Sequence, residues 1–186
     1  MASLTLNTDL EKSVEERLDM FYNFILAEKS ESSTLDSKVL VAEAERLDVK
    51  DKAVLLLCRV LFDKNMLQEI KPNRVLLLRF VYRNHKAQRY LLGGIEQLIC
   101  SNKEALLDKV PHLLKCFYDE DILEEEVLLE WGAKSSKKYV SKDDNKLIRS
   151  RAEPFLTWLK EAEEESENCI YLRNAPVFYP NCPLVR

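Results

Sequence analysis

"PNRVLLLRFVYRNHKAQRYLLGGIEQLICSNKEALLDKVPHLLKCFY", residues 72–118, decides the fold class. Its apolar residues recur every three or four positions, the spacing of one helix face. "PNRVLLLRFVYR" opens on Pro72, which suits a first helical turn because the N–H it lacks has no intrahelical acceptor there. "HKAQRYLLGGIEQLICS" follows Asn84, whose side-chain oxygen can accept from a free N–H of the first turn. Gly93-Gly94 weakens the middle of that helix. "KEALLDKVPHLLKCFY" follows Asn102 in the same way, and Pro111 predicts a bend in it. Short amphipathic helices joined by short loops favour antiparallel neighbours.

The same grammar extends outward. Val14, Leu18, Phe21, Tyr22 and Ile25 mark a first helix. "EKSESSTLDS" is a polar loop, and Val39 to Leu47 is a second helix. Asp48, three residues before Asp51, resembles an N-cap for "KDKAVLLLCRVLF". Downstream, Asp119 or Asp121 starts "ILEEEVLLEW" and Gly132 stops it. Ser141 and Asp144 form an S-x-x-D variant of the capping box, opening a long helix that contains Pro154. The 186 residues include only 3 glycines and 6 prolines, too few turn formers for a sheet-rich chain. The expected fold class is therefore all-α, a stack of antiparallel helical hairpins. Residues 1–12 are expected to be a flexible segment and 13–168 the helical domain. Residues 169–186, acid-free with three of the six prolines, are expected to be an irregular tail.

Several function classes lose support. No apolar run reaches the roughly 20 residues of a membrane span, and the start lacks a signal-peptide pattern. The five cysteines form no C-x-x-C, which leaves zinc and redox motifs unsupported and fits a reduced, cytoplasmic compartment. There is no phosphate-binding glycine loop and no G-x-S-x-G elbow. His85 and His112, the only histidines, are 27 residues apart and read as ordinary helix residues. No catalytic residue, cofactor or metal ligand is assigned.

The net charge of −4 hides an asymmetry. Between Phe117 and Ile170 lie 15 acidic and 8 basic residues. Two clusters share one design there, an aromatic stripe beside a run of acids. In "YDEDILEEEVLLEW" (118–131), Leu123, Val127 and Trp131 are four apart, while Glu126 and Glu130 face elsewhere. In "EPFLTWLKEAEEE" (153–165), Phe155, Trp158, Leu159 and Ala162 follow helical spacing, with Glu161, Glu164 and Glu165 off that stripe. Both tryptophans are expected to bury their rings as core anchors. Asp119, Glu120 and Asp121 suit a helix start, whose dipole favours negative charge. Glu124, Glu125 and Glu126 are not explained that way, nor are Glu161, Glu163, Glu164 and Glu165 near a helix C-terminus. Their placement fits either a solvated face or a surface for a basic partner. Upstream, Lys71, Arg74, Arg79, Arg83, Lys86 and Arg89 form a candidate basic face, with Arg79, Arg83 and Lys86 on one side if the helix runs on. The overall acidity argues against direct nucleic-acid binding.

At "AEAERLDVK" (42–50), "KAQRYLL" (86–92), "LEEEVLLEW" (123–131), "SKKYVSK" (136–142) and "AEPFLTWLKEAEEES" (152–166), the chain resembles the C-terminal domain of eukaryotic translation initiation factor 5. The resemblance runs from about Ser13 to Ser166 in the same order. It implies a HEAT-like helical repeat with two aromatic/acidic boxes, acting as a monomeric adaptor without enzymatic activity. Box one is then Asp119, Asp121, Glu124, Glu125, Glu126, Glu130 and Trp131. Box two is Phe155, Trp158, Glu161, Glu163, Glu164 and Glu165. The implied partners are lysine-rich segments of the initiation factor 2 beta subunit and the initiation factor 3 c subunit. More loosely, they include initiation factor 1A and the 4G scaffold. The arginine-finger domain of the full-length factor has no counterpart here, so no GTPase activation is expected. A related domain ends the epsilon subunit of the initiation factor 2 exchange factor. Regulatory mimics of factor 5 share the second box, and both are alternative readings.

Overall fold

The computed structural model describes residues 8–31 and 34–174, with side-chain surroundings as far as Ala162. A helical turn at 8–10 precedes α1 (Val14–Glu31), α2 (Ser37–Arg46) and α3 (Lys50–Leu61). Next come the single turn α4 (Met66–Glu69), α5 (Arg74–Val81) and α6 (His85–Ser101). The short α7 (Lys103–Leu106) leads through a 3-10 turn into α8 (Val110–Asp119), then α9 (Glu125–Ala133) and α10 (Lys142–Asn174). No strand occurs among the described residues. The fold is all-α, a stack of helical hairpins.

The apolar periodicity becomes one continuous core. Phe21, Leu57, Phe80, Leu91 and Phe117 are fully buried within it. The α3–α6 pair has the most extensive contact, with α1 against α3 and α2 against α5. In the second half, α10 packs on α8 and α9 and reaches back to α6. Phe62 meets Phe117 edge-on at 5.9 Å, joining the two halves.

Gly93 and Gly94 do not interrupt α6. A Cβ on Gly94 would lie 2.8 Å from that of Cys58, and one on Gly93 would lie 2.5 Å from the Tyr139 ring. The pair lets α3 and the 134–141 loop approach the helix, and that packing offsets the glycine penalty of about 1 kcal/mol each.

Asn84 caps α6 as expected, accepting from Ala87 N–H at 3.1 Å. Ser141 caps α10, accepting from Asp144 N–H at 3.1 Å. Asp48 does not cap α3. It adopts a left-handed φ of 51°, and Val49 holds the cap position. Asn102 donates its side-chain amide back to Leu98 O rather than capping α7. Pro111 divides its helix instead of bending it, because its ring suits the first turn of α8. Gly132 lies within α9 without a positive φ, giving room to Leu156. Pro154 sits inside a continuous α10.

Two boundaries differ from expectation. Asp9 pairs with Arg46 at 2.6 Å, so residue 9 of the expected flexible segment contacts the domain. Residues 169–174, expected to be irregular, belong to α10. They contain no proline or glycine, and Pro176 is the first breaker. Residues 1–7 and 175–186 lie outside the described residues.

Candidate functional site

The α8–α9 connection places box one differently from the sequence expectation. Asp119 ends α8, and Glu124 occupies the N-cap position of α9. The helix dipole therefore favours a different set of acids. Glu125 and Glu126, in the first turn of α9, gain from the helix N-terminus, whereas Asp119, Glu120 and Asp121 do not. Asp121 itself adopts a left-handed φ of 59° in the connecting turn.

Most box-one acids already have cationic or hydrogen-bond partners within the chain. Glu124 lies 2.9 Å from His85 Nε2 and accepts from Gln88 Nε2 at 2.8 Å, while its backbone N–H donates to Gln88 Oε1. These contacts hold its carboxyl below the usual range, the His85 bond foremost. Arg89 clamps Glu130 at 2.7 Å and likewise lowers its pKa. Arg74 donates to Glu120 O at 2.9 Å and to the Asp121 carboxylate at 3.2 Å. Lys71 lies 3.6 Å from Glu120. The expected acidic box and the expected basic face thus meet in one seam. Glu126 and Asp121 remain the most open acids of box one, with side chains 79% and 77% exposed.

The basic residues do not form one face. Helix α5 ends at Val81, Arg83 has a left-handed φ of 53°, and α6 restarts at His85. Arg79, Arg83 and Lys86 therefore do not share a helix side. Arg83 lies over the Tyr82 ring, and Lys86 pairs with Asp51 at 3.0 Å. Arg79 forms no ion pair among the described residues.

Trp131 and Trp158 have different surroundings. Trp131 is half-buried, and its indole N–H donates to Glu96 Oε1 at 2.6 Å. The same oxygen accepts from Asn145 at 3.1 Å and Arg149 at 3.2 Å. Arg149 also lies 4.5 Å from the Trp131 ring centre. Burial pushes the Glu96 carboxyl up, opposed by these donors, Trp131 first.

Trp158 is 43% exposed, contrary to the expected buried anchor. It stacks on buried Phe155 at 5.9 Å and meets Tyr118 edge-on. Phe155, Leu156 and Leu159 already fill the buried face of α10, leaving Trp158 at its margin. Lys115 lies 5.1 Å from the Trp158 ring centre and bonds Asp119 at 2.7 Å. Glu161 is exposed without an ion pair among the described residues. Glu161 and Glu165 are three and seven positions from Trp158, the same face by register. The side chains of Glu163, Glu164 and Glu165 lie outside the description, but α10 continues nine residues beyond Glu165. These acids are therefore interior to a helix, and the expected conflict with a C-terminal dipole does not arise.

Comparison with known proteins follows this geometry. Residues 87–168, spanning α6 to α10, match the W2 family, described as "eIF4-gamma/eIF5/eIF2-epsilon". The mouse protein "Eukaryotic translation initiation factor 5" is 53% identical over 163 residues, covering 87% of this chain and 38% of the relative. Its Caenorhabditis elegans counterpart is 50% identical over 172 residues, covering 90% and 39%. A solved structure described as "The C-terminal Domain of Translation Initiation Factor 5 at low pH" is 37% identical. It has a TM-score of 0.72 and covers 82% of this chain and 95% of that one. The chain belongs to the family of the factor 5 C-terminal domain. It is a protein-interaction domain of that family, not an enzyme. It spans about two-fifths of the length of these curated relatives.

In this factor 5-like domain, sequence reasoning missed Glu96, Asn145 and Arg149, which organise Trp131. A glutamate at position 96, amid the apolar residues of α6, was the available signal. It also missed Lys115, His85 and Gln88 as internal partners of box one, because 36 or more residues separate His85 and Gln88 from Glu124. Among the described residues, no cluster of three potential metal ligands occurs, and no helix is long and apolar enough to cross a membrane.

Proposed function

We propose that the domain is a cytoplasmic adaptor of translation initiation that docks lysine-rich segments of partner proteins beside Trp158. The carrying observation is Lys115. Its ammonium sits between the Trp158 ring and the Asp119 carboxylate, the arrangement an aromatic and acidic surface would offer a partner's lysine. A ring face and a carboxylate attract one ammonium by independent electrostatic routes. Glu161, Glu163, Glu164 and Glu165 extend the acidic run along α10. The proposed sources of such segments are the beta subunit of initiation factor 2 and the c subunit of initiation factor 3, the partners that the sequence resemblance implies. Initiation factor 1A and the 4G scaffold are further candidates for the basic residues left open, Arg79 and Arg83.

Single exposed ion pairs contribute only about 0.2–1 kcal/mol. Micromolar binding needs about 8 kcal/mol, so several lysines and the exposed indole must act together. Binding weakens with salt, since the Debye length is about 8 Å at physiological ionic strength. The test is calorimetric titration with the lysine-rich segment of the beta subunit, alongside GDP release from loaded initiation factor 2. The adaptor reading expects saturable, salt-sensitive binding with unchanged or slowed release. Accelerated release would transfer the domain to the exchange-factor class, and absence of binding would refute the docking surface.

A further inference from the structure

A cavity lies beside Trp131, lined by none of the residues around Trp158. It has a volume of about 320 Å³ and opens between α6, α9, α10 and the 134–141 loop, with Leu92, Val127 and Trp131 in its apolar wall. Tyr139 forms another wall, seated against Gly93, where any Cβ would displace it. Glu96 lines the cavity and is only 2% exposed. All three of its donors converge on Oε1, while Oε2 is buried without a partner. These bonds fix the Trp131 indole as one wall of the cavity.

The charges around the cavity are unbalanced. Arg149 is paired with Glu96 and Arg89 with Glu130. Lys134 and Lys138 also line the cavity, and neither forms an ion pair among the described residues. Lys138 rests instead 4.9 Å from the Tyr90 ring centre and 5.1 Å from that of Tyr139. Lys137 and Lys142 add further positive charge, and residues 134–142 contain no acid. An apolar cavity flanked by two lysines without an ion pair has a defined complement, an apolar side chain with neighbouring carboxylates.

We infer that this cavity is an anchor site for an acidic peptide segment of a partner protein, separate from the lysine-docking surface. An apolar side chain of the peptide enters beside Trp131, and its flanking carboxylates pair with Lys134 and Lys138. The domain then binds segments of opposite charge at two sites, one beside Trp158 and one beside Trp131.

The test uses an 11-residue peptide with one central leucine flanked by aspartates and glutamates. Its control carries asparagine and glutamine at every acidic position. Binding is measured by calorimetry, and its location by Trp131 fluorescence in the Trp158→Phe protein. The expected result is saturable binding of the acidic peptide with a changed Trp131 signal, and at least tenfold weaker binding by the control. The Lys134→Glu/Lys138→Glu variant is expected to lose at least tenfold in affinity with an unchanged circular dichroism spectrum. Lys134→Arg/Lys138→Arg is expected to retain binding, and Lys134→Gln/Lys138→Gln replaces the reversal if that variant does not fold. Equal binding of the control peptide, unchanged binding by the charge variants, or no binding of the acidic peptide overturns the inference. Full displacement of the peptide by equimolar inorganic phosphate or a 12-nucleotide oligothymidine also overturns it, by showing a general anion site. The reversal variant is expected to retain lysine-rich binding, so the two sites fail or hold independently.

Discussion

The two aromatic/acidic regions look alike as strings and differ as structures. In the first, Trp131 turns inward to Glu96, and much of the surrounding acid is held by His85, Gln88, Arg74 and Arg89. In the second, Trp158 remains 43% exposed, and Glu161 has no ion pair among the described residues. The first region therefore stitches α5, α6, α9 and α10 together. In the second, Lys115 already sits over the Trp158 ring, but part of the indole and the Glu161 carboxylate stay open. A shared composition does not imply a shared role, because neighbouring helices decide which acids are already neutralised.

The largest effect that separates the regions concerns stability. Trp131→Ala removes an indole N–H from buried Glu96 and a ring from Arg149, and is expected to cost about 3–5 kcal/mol. Trp158→Ala is expected to cost less, about 1–3 kcal/mol, from two aromatic contacts and the buried part of its ring. Urea denaturation followed by circular dichroism checks both. Equal losses would erase the distinction.

A smaller effect is the pH dependence of two carboxylates with opposite shifts. Glu96 has a raised folded pKa, so its contribution is present below the unfolded value near 4.5 and declines as pH rises through the folded value. The stability advantage of the parent over Glu96→Gln should therefore shrink as pH increases above about 4.5. Glu124 has a lowered folded pKa, so its contribution is present above about 4.5 and is lost as pH falls through the folded value. The advantage over Glu124→Gln should shrink on acidification. Parallel pH profiles for the two variants would contradict these assignments.

The smallest effect sharpens the idea of internal neutralisation. Arg74→Ala/Arg89→Ala frees Asp121 and Glu130 in the seam, and is expected to change lysine-rich peptide binding by less than about threefold. Tightening by about tenfold or more in calorimetry would mean that the seam acids are themselves a docking surface held closed by the arginines.

Local signals were legible in part, since the equally local caps read at Asp48 and Asn102 do not form. The caps at Asn84 and Ser141 depend on residues three apart and hold in the structure. The helical core followed from periodicity because burial enforces it along every helix. Contacts across the fold were not legible. Gly93-Gly94 reads as a weakness until Cys58 and Tyr139 arrive from α3 and the 134–141 loop. Trp158 reads as a core residue until Phe155, Leu156 and Leu159 are seen to occupy that face first. The boundary between α8 and α9 fell among consecutive acids, where no apolar period marks an end, and this misplaced the helix start at Asp119 or Asp121.

The proposed lysine docking belongs to the Trp158 region rather than to the Trp131 seam. The direct measurement is calorimetric titration of one lysine-rich peptide into two charge-reversed proteins. Asp121→Lys/Glu126→Lys alters the open acids of the first region, and Glu163→Lys/Glu164→Lys/Glu165→Lys alters the second. Circular dichroism confirms that each retains its helices. The account predicts a loss below about threefold for the first variant and at least tenfold for the second, the latter about 1.4 kcal/mol. Binding abolished in the first variant and intact in the second would contradict it.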